Sequence, residues 1–106
     1  MNTLKDLLEN YFGSDKGLAK NTLRLLPELA KRVDTDTAKE IIENEIYDNS
    51  FFADVWMAWQ DICEVNDTYY NIGYNIVDYL DNYRHDYNRV GEKLCELVVA
   101  FVKQEE

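Results

Sequence analysis

Chemistry-bearing side chains are few in this chain, and their spacing argues against catalysis. His85 is the single histidine. It follows Asp81 by one helical turn, so an ion pair or hydrogen bond to that carboxylate is its expected role. A transition-metal site needs several ligands at set spacing, and His85 has neither a paired cysteine nor a Glu-x-x-His partner. Cys63 and Cys95 lie far apart among apolar neighbours, the pattern of buried free thiols, which fits a reducing cytoplasm. Neither sits at a helix start or beside cations, so no Cys-His set is nominated. There is no glycine-rich phosphate loop. Asp34-Thr35-Asp36-Thr37 lacks the glycine and the distant glutamate of a calcium loop. Carboxylate pairs such as Asp78/Asp81 could serve acid–base chemistry, but in a chain with 21 acids such pairs arise without function. No catalytic residue, metal or cofactor is nominated, and an enzymatic reading ranks last.

What remains is recognition by charge and aromatic surface. Net charge is −10 over 106 residues. Binding nucleic acid through its phosphates needs the opposite sign, as does an anionic membrane surface, so neither is an expected partner. A basic protein is favoured, because opposite fields steer encounter. The acid is also localised. Residues 1–33 carry a net +2, residues 34–86 a net −11 and residues 87–106 a net −1. A surface built only for solubility would mix the signs.

These side chains must be placed by helices. One proline, four glycines and apolar residues at three- and four-residue spacing predict an all-α fold, a compact single domain (residues 1–106) of five to six short helices. The hydrophobic fraction of 46% suffices for one core. No apolar run reaches the roughly 18 residues of a membrane span, and the N-terminus does not read as a secretory signal. Thr3 with Asp6 starts a first helix that ends near Gly13 and carries Leu4, Leu7, Leu8 and Tyr11 inward. A second begins near Asp15. Pro27 either kinks it or starts a new helix after a break near Leu25, and the break is preferred. Thr37 with Glu40 fits a capping box for a helix to about Asp48 that buries Ala38, Ile41, Ile42 and Ile46. Ser50 caps the next. A long helix spans about Tyr69 to Tyr83, and the last runs over roughly 89–103. The core should centre on Trp59, Ile62, Ile76, Leu80, Leu94 and Leu97. Residues 23–33, a short Asp/Thr turn and Ala38 to Ile46 together resemble one HEAT-type helical hairpin. The resemblance does not recur along the chain and implies only a mode of packing.

At 100° per residue the three central helices divide into inner and outer faces. Glu40, Glu43 and Tyr47 fall together, opposite Ile42. Asp54, Met57, Asp61 and Glu64 share one side, opposite Trp56, Trp59 and Cys63. On the tyrosine-rich helix, Ile72, Ile76, Leu80 and Tyr83 point inward, while Tyr70, Tyr74, Asp78 and Asp81 point out among asparagines. Carboxylates mixed with outward tyrosine or methionine suit an arginine- or lysine-rich protein surface, through ion pairs and cation–π contacts. These eleven residues are the candidate partner-binding set, on a monomer or weak dimer.

Three functions fit. The first is an inhibitor of a basic nuclease toxin; in size and sign the chain resembles the small acidic immunity proteins of bacterial toxin systems. The second is a nucleic-acid mimic that blocks a restriction or CRISPR-type complex. The third is a helical adaptor or secretion-chaperone-like subunit, docking through Phe51, Met57 and the tyrosines.

Overall fold

The first helix begins as its sequence suggests. The Thr3 hydroxyl accepts from the Asp6 amide at 3.2 Å, and the Asp6 carboxylate accepts from the Thr3 amide at 3.3 Å, a reciprocal capping box. The computed structural model describes residues 3–82, 84 and 86–106. Six helices account for its regular structure: α1 (Leu4–Phe12), α2 (Lys16–Arg32), α3 (Thr35–Glu43), α4 (Asn49–Glu64), α5 (Asp67–Asp81) and α6 (Tyr87–Glu105). The chain is an all-α bundle with a radius of gyration of 12.5 Å, close to the roughly 13 Å of a compact chain this long.

Every later helix starts on an Asp or Asn side chain. Asp15, Asp34, Asp48, Asn66 and Asp86 each accept from the amide three residues on, satisfying a donor that the helix leaves orphaned. This revises two expected starts. Asp34, not Thr37, caps α3, because its carboxylate takes both the Thr37 amide and the Thr37 hydroxyl. Asp48, not Ser50, caps α4. The same change shortens α3, which stops at Glu43, and Glu45 turns the chain with a φ of 55°. Ile46 therefore leaves the helix and is exposed rather than buried.

Pro27 does not break the second helix. Residues 16–32 are continuous through it. The ring removes the amide that would bond the Leu23 carbonyl, but Leu23 is 41% exposed, so water can serve that oxygen. Leu25, Leu26 and Leu29 are fully buried around the proline and hold the segment helical by packing.

The core is built on α4 and α6, which pack closely on each other. α5 lies against α4, α3 against α6, and α2 reaches α4, α5 and α6. α3 makes its main contacts with α6, not with α2, so the HEAT-like hairpin does not form. Trp59, Ile62, Ile76, Leu80, Leu94 and Leu97 are all buried, as expected. Two glycines permit the close approaches. A Cβ on Gly91 would lie 2.0 Å from the Phe52 carbonyl oxygen, so only hydrogen fits where α6 crosses α4. A Cβ on Gly73 would meet the Cys63 sulfur at 2.3 Å. The Gly73 carbonyl accepts the Trp59 indole N–H at 3.1 Å, which satisfies the one polar atom of the largest buried side chain.

Two helix C-termini, those of α1 and α5, are closed by side chains from other elements. The Tyr79 hydroxyl donates to the Phe12 carbonyl at 3.4 Å, at the end of α1, while the two rings pack 5.7 Å apart. Lys93 donates to the Leu80 carbonyl at 2.6 Å, placing a cation at the negative end of α5. Tyr79 thus ties α5 to α1.

Candidate functional site

The acidic helices do not form one face. α4 and α5 are neighbours, whereas α3 sits on α6. Glu40, Glu43 and Tyr47 are therefore separated from the other candidates and belong to the α3–α6 side. Glu43 is engaged in an ion pair with Lys103, whose ammonium holds its carboxyl below the usual glutamate range. Lys39 pairs with Glu106. Tyr47 lies beyond the end of α3, yet is 60% exposed and rests edge-on against Phe52 with ring centroids 5.3 Å apart.

On α4, Asp54, Met57, Asp61 and Glu64 are all exposed, Met57 to 60%. None of these carboxylates enters an ion pair among the described residues. Beside them runs a ladder of rings. Tyr70, 54% exposed, meets Tyr74 edge-on at 4.9 Å. Tyr74 meets Trp56 at 6.4 Å, and Trp56 stacks on Tyr87 at 4.7 Å with the planes 10° apart. Tyr74 is half-buried, and burial raises its hydroxyl pKa above the ordinary tyrosine value. The ladder thus spans α5, α4 and the start of α6, with exposed rings at both ends. Asp78 is half-buried on α5. Trp56 and Tyr87 were not among the expected site residues. Trp56 carries the hydrophobicity of a core residue, and Tyr87 falls where a turn was expected.

Asp81 does not belong to this surface. Expected on the outer face, it is only 4% exposed. It lies one helical turn after buried Val77, and its Oδ2 accepts the Asp86 amide at 2.9 Å. Asp86 in turn caps α6, so Asp81 fastens the end of α5 to the start of α6. The expected contact between Asp81 and His85, and the inward position of Tyr83, lie outside the described residues.

A second acidic feature lies on the α3–α6 side. A half-open cavity of about 390 Å³ has a floor of Leu7, Ile41, Phe52, Val99 and Ala100, with Glu45, Glu92 and Glu96 on its walls and Tyr47 beside them. The Tyr11 hydroxyl donates to Glu96, and burial drives the Tyr11 pKa far upward. Burial, then the neighbouring Glu96 charge, raises the Glu92 carboxyl above its ordinary value. The sequence carried no signal for this site, because Glu92 and Glu96 stand on α6 among Arg89 and Lys93 and read as a mixed, solvated face.

Neither cysteine supplies a reactive thiolate to these features. Cys63 and Cys95 are free and buried, and burial pushes both thiols up to about 12. Among the described residues, no group of three or more His, Cys, Asp or Glu side chains is arranged to hold a metal ion, and no helix is long and apolar enough to cross a membrane. Compared with known proteins, the chain matches no family, no curated protein and no solved structure.

Proposed function

We propose that this protein is a binding module that masks a basic surface on another protein, and that the α4–α5 face does the binding. The observation that carries this reading is the ring ladder Tyr70–Tyr74–Trp56–Tyr87, exposed at both ends, next to α4 acids that enter no ion pair among the described residues. Rings supply desolvated contact area at small entropic cost, and flanking carboxylates steer a cationic partner into register. A nuclease toxin or another nucleic-acid-binding protein fits best, because such proteins must present a cationic cleft to phosphate. The specific role is then inhibition, in the manner of an immunity protein or antitoxin, and not catalysis. A nucleic-acid mimic is less well supported, since rings and Met57 interrupt what would have to be a row of carboxylates.

The test is affinity capture from the native host at low and high salt, with identification of what is bound. The wild type should retain one basic nucleic-acid-processing protein, released by high salt. A D54N/D61N/E64Q/D78N variant should lose it while keeping its helical circular dichroism. Retention of a non-basic protein through high salt, equally by both forms, would overturn the proposal.

A further inference from the structure

The cavity between the α3–α4 connection and α6 has a composition that the α4–α5 surface lacks. Its floor is apolar, formed by Leu7, Ile41, Phe52, Val99 and Ala100, and no lysine or arginine lines it. Its charge comes from three glutamates, Glu45 on one wall and Glu92 and Glu96 one helical turn apart on α6. Glu96 is oriented by the Tyr11 hydroxyl. At about 390 Å³ the cavity is at the small end of the roughly 300–1,000 Å³ that holds organic ligands, too small for a helix and large enough for a long side chain. We propose that it is a receptor for one arginine side chain projected by the partner protein, an anchor contact that rests on the binding role given above and adds a second site to it.

Charge complementarity selects the occupant. A cation entering between Glu92 and Glu96 relieves the repulsion of two like charges held four residues apart. The apolar floor takes the methylene stem, which an inorganic cation does not have. Arginine is favoured over lysine on three counts. Its guanidinium is the less strongly hydrated head and loses less on leaving water over an apolar floor. Its planar fork can serve two carboxylates at once. Its flat face can stack on an exposed ring, and Tyr47 supplies one at the cavity edge. Arg89 and Lys93 stand in the adjoining depression, which shares Glu92, Glu96 and Tyr47 with the cavity, and Lys93 is committed to the Leu80 carbonyl and lies over the Tyr11 ring.

The test uses the full chain and three small probes, butylguanidinium, butylammonium and uncharged butylurea, each titrated into ¹⁵N-labelled protein. Butylguanidinium should bind at least tenfold more tightly than butylurea and severalfold more tightly than butylammonium, with shifts centred on Ile41, Ile46, Phe52 and Val99. E45Q and E92Q, which leave the Tyr11–Glu96 contact in place, should each weaken it severalfold. D54N/D61N should leave it unchanged. Equal binding of the urea, equal binding of the ammonium, or shifts centred elsewhere would overturn the assignment. Such a failure would leave the α4–α5 reading standing, because partner capture tests that surface separately. Loss of capture by the α4–α5 variant alongside intact probe binding would separate the two in the other direction.

Discussion

Gly91 shows how one side chain's absence sets the geometry of the bundle. Its backbone meets the Phe52 carbonyl so closely that a methyl group would lie 2.0 Å from the oxygen, and both segments are buried. Gly91→Ala should therefore cost about 2 kcal/mol or more in urea unfolding, the scale of an overpacked core. Gly17→Ala, where the nearest atom is 3.5 Å away in the first turn of α2, should be neutral or stabilise by up to about 1 kcal/mol. Similar losses at both positions would show that the close crossing is not the reason for Gly91. Glu92 offers a second test at this scale. It faces Glu96, Arg89 and Lys93, with Glu45 across the cavity, and its carboxyl is raised chiefly by burial. A raised folded-state value means that the folded protein holds this proton more tightly than the unfolded chain. The stabilisation is complete below the ordinary glutamate range and is lost as pH rises through the folded value. Thermal scans should find E92Q more stable than wild type at pH 7, with the difference closing in acid. A gap that widens on acidification would contradict the sign. Neither residue announced its role in the sequence. A glycine in a helical pattern reads as a weak point until the facing backbone is known, and Glu92 reads as solvated until Tyr11 and the α3–α4 connection close around it.

Individual helices were legible where the chain supplies its own stop and start. Thr3, Asp6 and Gly13 mark α1 because the capping partners lie within four residues of each other. The errors arose where two local signals competed. Thr37 with Glu40 fits a capping box for α3, but the nearby Asp34 carboxylate is the cap because it binds two donors of Thr37. Those hydrogen bonds hold the Asp34 carboxyl below its ordinary value. Its contribution is therefore present above the unfolded-state value and lost as pH falls through the lower, folded one. Asp34→Asn, which retains an acceptor, should change little at pH 7 and should lessen the loss of stability on acidification below about pH 4. Equal acid sensitivity in variant and wild type would place the titrating groups elsewhere. At Pro27, local chemistry favoured a break, but three buried leucines of α2 kept the helix whole. Pro27→Ala should restore the amide to the Leu23 carbonyl and stabilise the protein by about 1–2 kcal/mol, part of the roughly 3 kcal/mol interior-proline penalty being offset by greater freedom of the unfolded chain. A lower urea midpoint would show that the ring packs favourably enough to outweigh its lost hydrogen bond.

At the scale of the molecule, the acidic block of residues 34–86 serves several purposes. Asp34, Asp48 and Asp86 are helix caps, Asp81 is a buried tie and Glu43 is neutralised by Lys103. The excess negative charge is thus partly the cost of starting short helices on aspartate. The acids proposed for recognition are fewer and better defined, the α4 carboxylates beside the ring ladder and the glutamates of the α6 cavity. The all-α class and the six central core residues could be read from periodicity, since burial of a helix stripe follows from spacing alone. The division of the acidic face could not, because it depends on α3 packing against α6 instead of extending the row of α4 and α5. Helical wheels give directions about each axis and say nothing about which axes are neighbours. The central claim is that the α4–α5 face recruits a basic protein electrostatically. The direct measurement is the association rate constant with the captured partner, taken across about 20–500 mM salt for wild type and D54N/D61N/E64Q/D78N. The wild-type rate should fall by at least tenfold over that range, and the variant should be slower at low salt with a much flatter dependence. Identical rates and identical salt slopes for the two proteins would contradict the account.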